Sequence, residues 1–125
     1  MKASSLSFKA AVAFLVVGMI WGIVMAISED HSTYPAHAHF TLLGWASLFL
    51  FGIYYRLNPT LERAKSAAAQ VWVWVIGTIT LAIGVGLVQI GRDIGDPVAA
   101  VGSLIVVLDT LLFGWLVFQN ERAAA

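Results

Sequence analysis

The chain has no cysteine among its 125 residues. Disulfides, iron–sulfur clusters, thiolate metal sites and the Cys-x-x-Cys-His attachment of a c-type heme are therefore excluded. Any metal or cofactor must be held by imidazole, carboxylate, thioether or hydroxyl groups. Charge is scarce as well: Asp, Glu, Lys and Arg make up 11% of the chain, against about 25% in an ordinary soluble domain. Seven basic and seven acidic residues cancel, and no basic patch offers a surface for nucleic acid. Histidine occurs only at His31, His37 and His39.

Hydrocarbon fills the remainder. Hydrophobic residues are 60% of the chain and fall into four long runs, and a run of about 20 such residues crosses a bilayer. The reading is all-α: a single integral-membrane domain, an up-down four-helix bundle with spans of about 9–28, 35–55, 71–90 and 98–118. The first run exceeds the about 7–15 apolar residues of a signal peptide, so it reads as an uncleaved span. It carries Gly18-Met-Ile-Trp-Gly22, a GxxxG that lets another helix approach closely. Pro35 suits the first turn of the second helix. Tyr54-Tyr55-Arg56 closes that span as an interfacial anchor, and Leu61 to Gln70 reads as a short amphipathic connector. Trp72 and Trp74 open the third span at interface depth. Gly91-Arg92-Asp93 through Pro97 is a tight polar turn.

Lys2, Lys9, Arg56, Arg63, Lys65 and Arg122 flank the two ends and the middle connector, leaving Arg92 alone in the other two loops. By the positive-inside rule both termini face the cytoplasm, in a cell inner membrane, and the histidine stretch lies on the outer face.

His37 and His39 stand in the first turns of a membrane span, where an ionisable side chain is expensive and points to function. Residues i and i+2 of a helix point about 200° apart, so the two imidazoles do not grip one ion and suit separate partners. In an extended segment the same His-x-His, with His31 and with Glu29 or Asp30 as further ligands, would chelate copper or zinc. Asp109 is the one carboxylate deep in a span; it suits a helix-locking hydrogen bond to Thr78 or Thr80, or a proton relay. Trp21 and Trp45 lie deeper than an interfacial belt requires, and Gly44 leaves room for a flat ring or a neighbouring helix.

The residues Thr33-Tyr34, His37-Ala38-His39-Phe40 and Gly52-Ile53-Tyr54-Tyr55 resemble one helix of the catalytic subunit of heme-copper oxidases and the related nitric oxide reductases. In that family a Tyr-rich segment leads into a His-x-His in which one histidine ligates the low-spin heme and the other the heme of the oxygen-reducing centre. The resemblance covers about 25 of the 125 residues and implies ligation of a b-type heme by His37, His39 or both. The family also uses several copper histidines and a distant second heme histidine, which this chain lacks, so one copy does not build a complete oxygen-reducing site. Its propionate-binding Arg-Arg pair is absent; Arg92 holds a comparable outer position.

A heme iron accepts histidine, methionine, thiolate or tyrosinate, so within one chain the completing ligand is a second histidine of the stretch or Met25. Two subunits sharing a heme would supply two histidines. The sequence therefore suggests a homo-oligomeric heme protein for electron transfer, fed by a respiratory-chain donor, or for binding oxygen or nitric oxide. The alternatives are a copper or zinc protein and a cofactor-free accessory or assembly subunit of a respiratory complex. No substrate is indicated.

Overall fold

The computed structural model describes residues 1–125 and is helical almost throughout. Four helices are long and apolar enough to cross a membrane: α1 (Ala3–Ser28), α2 (Tyr34–Leu57), α4 (Lys65–Gln89) and α5 (Gly95–Ala124). The short α3 (Pro59–Glu62) links α2 to α4. Without water in the hydrocarbon, each spanning segment must satisfy its own backbone, which a helix does.

The helix ends are marked by local chemistry. Glu29 closes α1 in the left-handed conformation, φ 56°. Asp30 Oδ1 then accepts the Ser32 N–H at 3.0 Å, which holds its carboxyl below the ordinary range, and Pro35 occupies the first turn of α2. Asn58 breaks the helix at φ −122°, ψ 80°, and Pro59 starts the next one. Gly91, at φ 77°, turns the chain between α4 and α5. The expected connector of residues 61–70 is shorter than the sequence suggested. Its second half, Lys65 to Gln70, is already the start of α4, because lysine, alanine and glutamine are strong helix formers.

Consecutive helices run antiparallel. Ser7, Phe14 and Gly18 of α1 meet Leu48, Gly44 and Thr41 of α2 in reverse order. Gly77, Gly84 and Val88 of α4 meet Ile105, Ala99 and Gly95 of α5 in the same way. The interior is built from small and polar groups. On α1 the buried face includes Ser4, Ser7, Ala11, Phe14 and Gly18, while Val16, Ile20, Ile23 and Ile27 are exposed. In water so large an apolar surface would demand a partner; lipid tails solvate it as well as another helix would.

Between α4 and α5 the seam follows a seven-residue period: Gln70, Gly77 and Gly84 on one helix, Gly95, Gly102, Asp109 and Leu116 on the other, all buried. A Cβ on Gly84 would stand 2.2 Å from the backbone nitrogen of Ala99, and one on Gly102 would stand 2.4 Å from that of Leu81. The backbones are in contact there.

α2 is not a uniform α-helix. Residues Leu42–Ser47 form a π-helical turn, a wider coil frequent near functional sites. Trp74 of α4 donates its indole N–H to the Leu43 carbonyl at 2.9 Å. Trp74 was expected at the interface, but it is buried because this indole bond and the edge-on contact with Phe51 hold it in the bundle.

Six of the seven basic residues lie toward the end of the molecule that gathers the N-terminus, α3 and the C-terminal tail. Glu62, 5% exposed, organises that end. It accepts from the Ser4 hydroxyl and from Arg56 Nε at 3.2 Å, with Lys2 Nζ at 3.8 Å. On α5, Glu121 accepts the Tyr54 hydroxyl at 3.0 Å, and Asn120 donates to Asn58 Oδ1 at 2.8 Å.

Gly84→Leu should lower the thermal stability of the detergent-purified protein by about 1–3 kcal/mol or more through overpacking. Gly114→Leu, where an added Cβ meets nothing within 4 Å, should be close to neutral in the same melt. A second expectation concerns pH. The Ser4 hydroxyl bond, with Lys2 and Arg56 behind it, holds the Glu62 carboxyl below its usual value of 4.5. Its contribution is present above that value and is lost as pH falls through the lowered one. Glu62→Gln should therefore flatten the acid limb of the stability profile, and an unchanged limb would show that Glu62 adds nothing.

Candidate functional site

The three histidines occupy three different settings. His31 is exposed in the turn between α1 and α2. His37 and His39 both lie in the first turns of α2, and the helical twist sends them to different surroundings, as the two-residue spacing predicted.

His37 faces α1. Its Nε2 lies 2.9 Å from the Gly18 carbonyl oxygen; that oxygen can only accept, so Nε2 carries the proton. Trp21 meets the imidazole edge-on, with ring centroids 5.7 Å apart at 88°. Gly22 lies beside this ring, where an added Cβ would make ordinary contact at 3.4 Å from Nε2. Gly18 is tighter, with an added Cβ 2.6 Å from the Thr41 methyl. The GxxxG of α1 is thus the seat of α2 in the same chain.

His39 faces outward and is exposed. Its Nδ1 stands 2.8 Å from the Pro35 carbonyl oxygen. Again only the ring nitrogen can donate, so the neutral imidazole presents an unprotonated Nε2. A backbone bond at Nδ1 that fixes the tautomer is the usual arrangement behind a metal-ligating histidine.

The remaining candidates disperse. Met25 is buried, and its sulfur accepts the Thr33 hydroxyl at 3.7 Å, while Thr33 accepts the Trp21 indole N–H at 3.1 Å. The space over Gly44 holds the Phe14 ring, 2.1 Å from where a Cβ would be. Trp45 is half-buried and packs on Phe49 at 4.9 Å. Arg92 is exposed in the turn after α4 and pairs with neither Asp93 nor Asp96. No three His, Asp or Glu side chains converge into a group able to hold a metal ion; His31, His37 and His39 stay apart because α2 is helical through both of its histidines. An apolar crevice of about 300 Å³ opens beside this end, lined by Trp21, Thr33 and Phe40 and, from α4, by Ile79, Ile83 and Gly86 among others. His37 and His39 do not line it.

A second polar group lies deeper. Asp109, 2% exposed, accepts from Gln70 Nε2 at 2.6 Å, and Gln70 Oε1 accepts the Tyr55 hydroxyl at 2.7 Å. The expected partners Thr78 and Thr80 do not take part. Thr80 donates back to the Ile76 carbonyl at 2.8 Å, and the buried Thr78 hydroxyl has no partner. Gln70 and Tyr55 were not singled out from the sequence. The signal that finds Gln70 is the seven-residue spacing it shares with Gly77 and Gly84; Tyr55 looked like an interfacial anchor.

His37→Leu should destabilise the bundle by about 0.6 kcal/mol, at most about 1.7, the range measured for intramembrane side-chain hydrogen bonds. His39→Leu should change stability by less than about 0.5 kcal/mol, as an exposed substitution does. Unfolding in mixed detergent micelles reads both. Compared with known proteins, this chain matches no family model, no curated sequence and no solved structure.

Proposed function

We propose that the protein is a membrane-embedded b-type heme protein in which His39 is the axial ligand, working in electron transfer. The observation that carries this reading is the state of the two imidazoles. His37 spends its Nε2 on the Gly18 carbonyl against the wall of α1, with no room for a macrocycle. His39 has its Nδ1 anchored to Pro35 and an available Nε2 on an exposed helix face. The residues present fit a heme at His39 and do not fit one at His37.

A low-spin heme needs a second axial ligand. Met25, the other candidate within the chain, is turned inward and bonded to Thr33. A second copy of the chain, related by a twofold axis, supplies an equivalent His39. Leu42, exposed and three residues along the helix from His39, gives such a pair an apolar neighbour. The bound heme would supply reversible one-electron chemistry. The chain's own part is to fix the His39 tautomer and to hold that ring near one end of the helices. By the positive-inside rule the lysine and arginine distribution supports an outer-side position for this end in a cell inner membrane, with both termini cytoplasmic, which suits a respiratory-chain donor. The partial resemblance to the oxidase catalytic subunit points the same way. An open second position would instead suit the binding of a diatomic gas.

The test is the absorption spectrum of protein purified from heme-supplied cells, air-oxidised and then dithionite-reduced. The expected result is a Soret band that sharpens on reduction with α and β bands, lost in His39→Ala and kept in His37→Ala. A carbon monoxide shift would assign the open-site variant. A colourless protein that hemin does not reconstitute overturns the reading and leaves the accessory-subunit role. Bound copper or zinc in its place would establish the metal-protein alternative.

A further inference from the structure

We propose that Asp109 is a proton-binding site in the middle of the bundle, whose occupancy is passed to the Tyr55 hydroxyl on α2 through the orientation of the Gln70 amide. This inference is independent of heme.

Three observations converge. Asp109 lies near mid-helix in α5, Gly95–Ala124, and is 2% exposed. One of its oxygens, Oδ2, takes the Gln70 amide N–H at 2.6 Å, while Oδ1 is buried with no partner. No cation compensates it. The ion pairs of the molecule join Lys2 and Arg56 to Glu62 at the connector end, and Lys9 of α1 is exposed. The groups facing Asp109 are Gln70 from α4 and, beyond it, Tyr55 from α2, with Tyr54 beside Tyr55. A carboxylate with one bare oxygen in hydrocarbon is costly, and a proton removes the charge.

The chain of bonds then has two arrangements, which differ in hydrogen positions and in which way the Gln70 amide faces. With Asp109 ionised, the Tyr55 O–H donates to Gln70 Oε1 and Gln70 Nε2 donates to Asp109 Oδ2. With a proton on Oδ2, that oxygen becomes a donor and needs an acceptor. The Gln70 amide turns over, accepts the acid proton on its oxygen, and donates its NH₂ to Tyr55 Oη. The Tyr55 O–H is then free for another acceptor. One proton from water is bound to the carboxylate, and no bond between heavy atoms is made or broken. A helix lock alone would need neither an ionisable residue nor a reversible amide between two groups that can each donate and accept.

The experiment is infrared spectroscopy of the full-length, detergent-solubilised protein with ¹³C-labelled and unlabelled aspartate, in H₂O and D₂O. Asp30 and Asp93 are exposed in turns and Asp96 is exposed in the first turn of α5, so a label-sensitive carboxylic-acid C=O band at neutral pH that is absent from Asp109→Asn reports Asp109. The expected result is such a band, moved by D₂O, missing from Asp109→Asn and shifted in frequency by Gln70→Leu. In labelled-tyrosine protein a C–O band should change together with it, and Asp109→Asn should abolish that change. Absence of an acid band at every pH at which the protein stays folded overturns the proposal. A band indifferent to Gln70→Leu and uncoupled from tyrosine overturns the transmission to Tyr55. Should Asp109→Asn fail to fold, the isotope shift in the unaltered chain still decides protonation.

Discussion

Lipid tails are as apolar as leucine, so a helix in a bilayer gains little by turning its large side chains inward. The architecture follows from that constraint. Close approach and hydrogen bonding decide which face is buried, and the bulky aliphatics are left to the lipid. Ser4, Ser7, Ala11 and Gly18 line the inner face of α1 while Val16, Ile20 and Ile23 look out. Gly84 and Gly102 bring the backbones of α4 and α5 into direct contact. Elsewhere aromatic rings pack between the helices, as Phe51, Tyr54 and Tyr55 do around Phe113.

The same constraint separates the two histidines. An imidazole in a helix near the bilayer must find a partner, and both do so through the nearest carbonyl. For His37 that carbonyl belongs to the neighbouring helix, at Gly18. For His39 it belongs to its own helix one turn back, at Pro35. The first bond is tertiary and consumes the outer ring nitrogen. The second is local and leaves that nitrogen free. Two residues of one type, two positions apart, thereby acquire different settings, one with Nε2 bonded to a neighbouring helix and one with Nε2 unpartnered.

Polar groups inside the bundle form two separate sets with different connections to water. Glu62, Arg56 and Ser4 tie the N-terminus to the connector at a polar end, where Lys2 completes the pairing. Tyr55, Gln70 and Asp109 are sealed from solvent and contain no cation. Trp74, bound to a carbonyl of the π-turn, ties that widened part of α2 to α4, one helix turn along α4 from Gln70. Tyr55 and Gln70, which lead to Asp109 of α5, thus sit on the same two helices, α2 and α4, as the turn that follows the histidines.

Run lengths and hydropathy were enough for the all-helical class and the four spans, since hydrocarbon thickness dictates how many apolar residues a helix must carry. The divergence of His37 and His39 was also legible, because 3.6 residues per turn is a property of the helix itself. The wider turn at Leu42–Ser47, the inward place of Trp74 and the pairing of Asp109 with Gln70 were not. Each depends on which residue of a second helix lies opposite, and uniform hydrophobicity around a membrane helix carries no mark of its facing direction. The seven-residue spacing of small residues carries that mark, at Gly77 and Gly84 as at Gly95 and Gly102. It becomes readable only when two helices are set side by side. Local periodicity determined the elements; their mutual register, fixed by close packing, decided which polar groups meet.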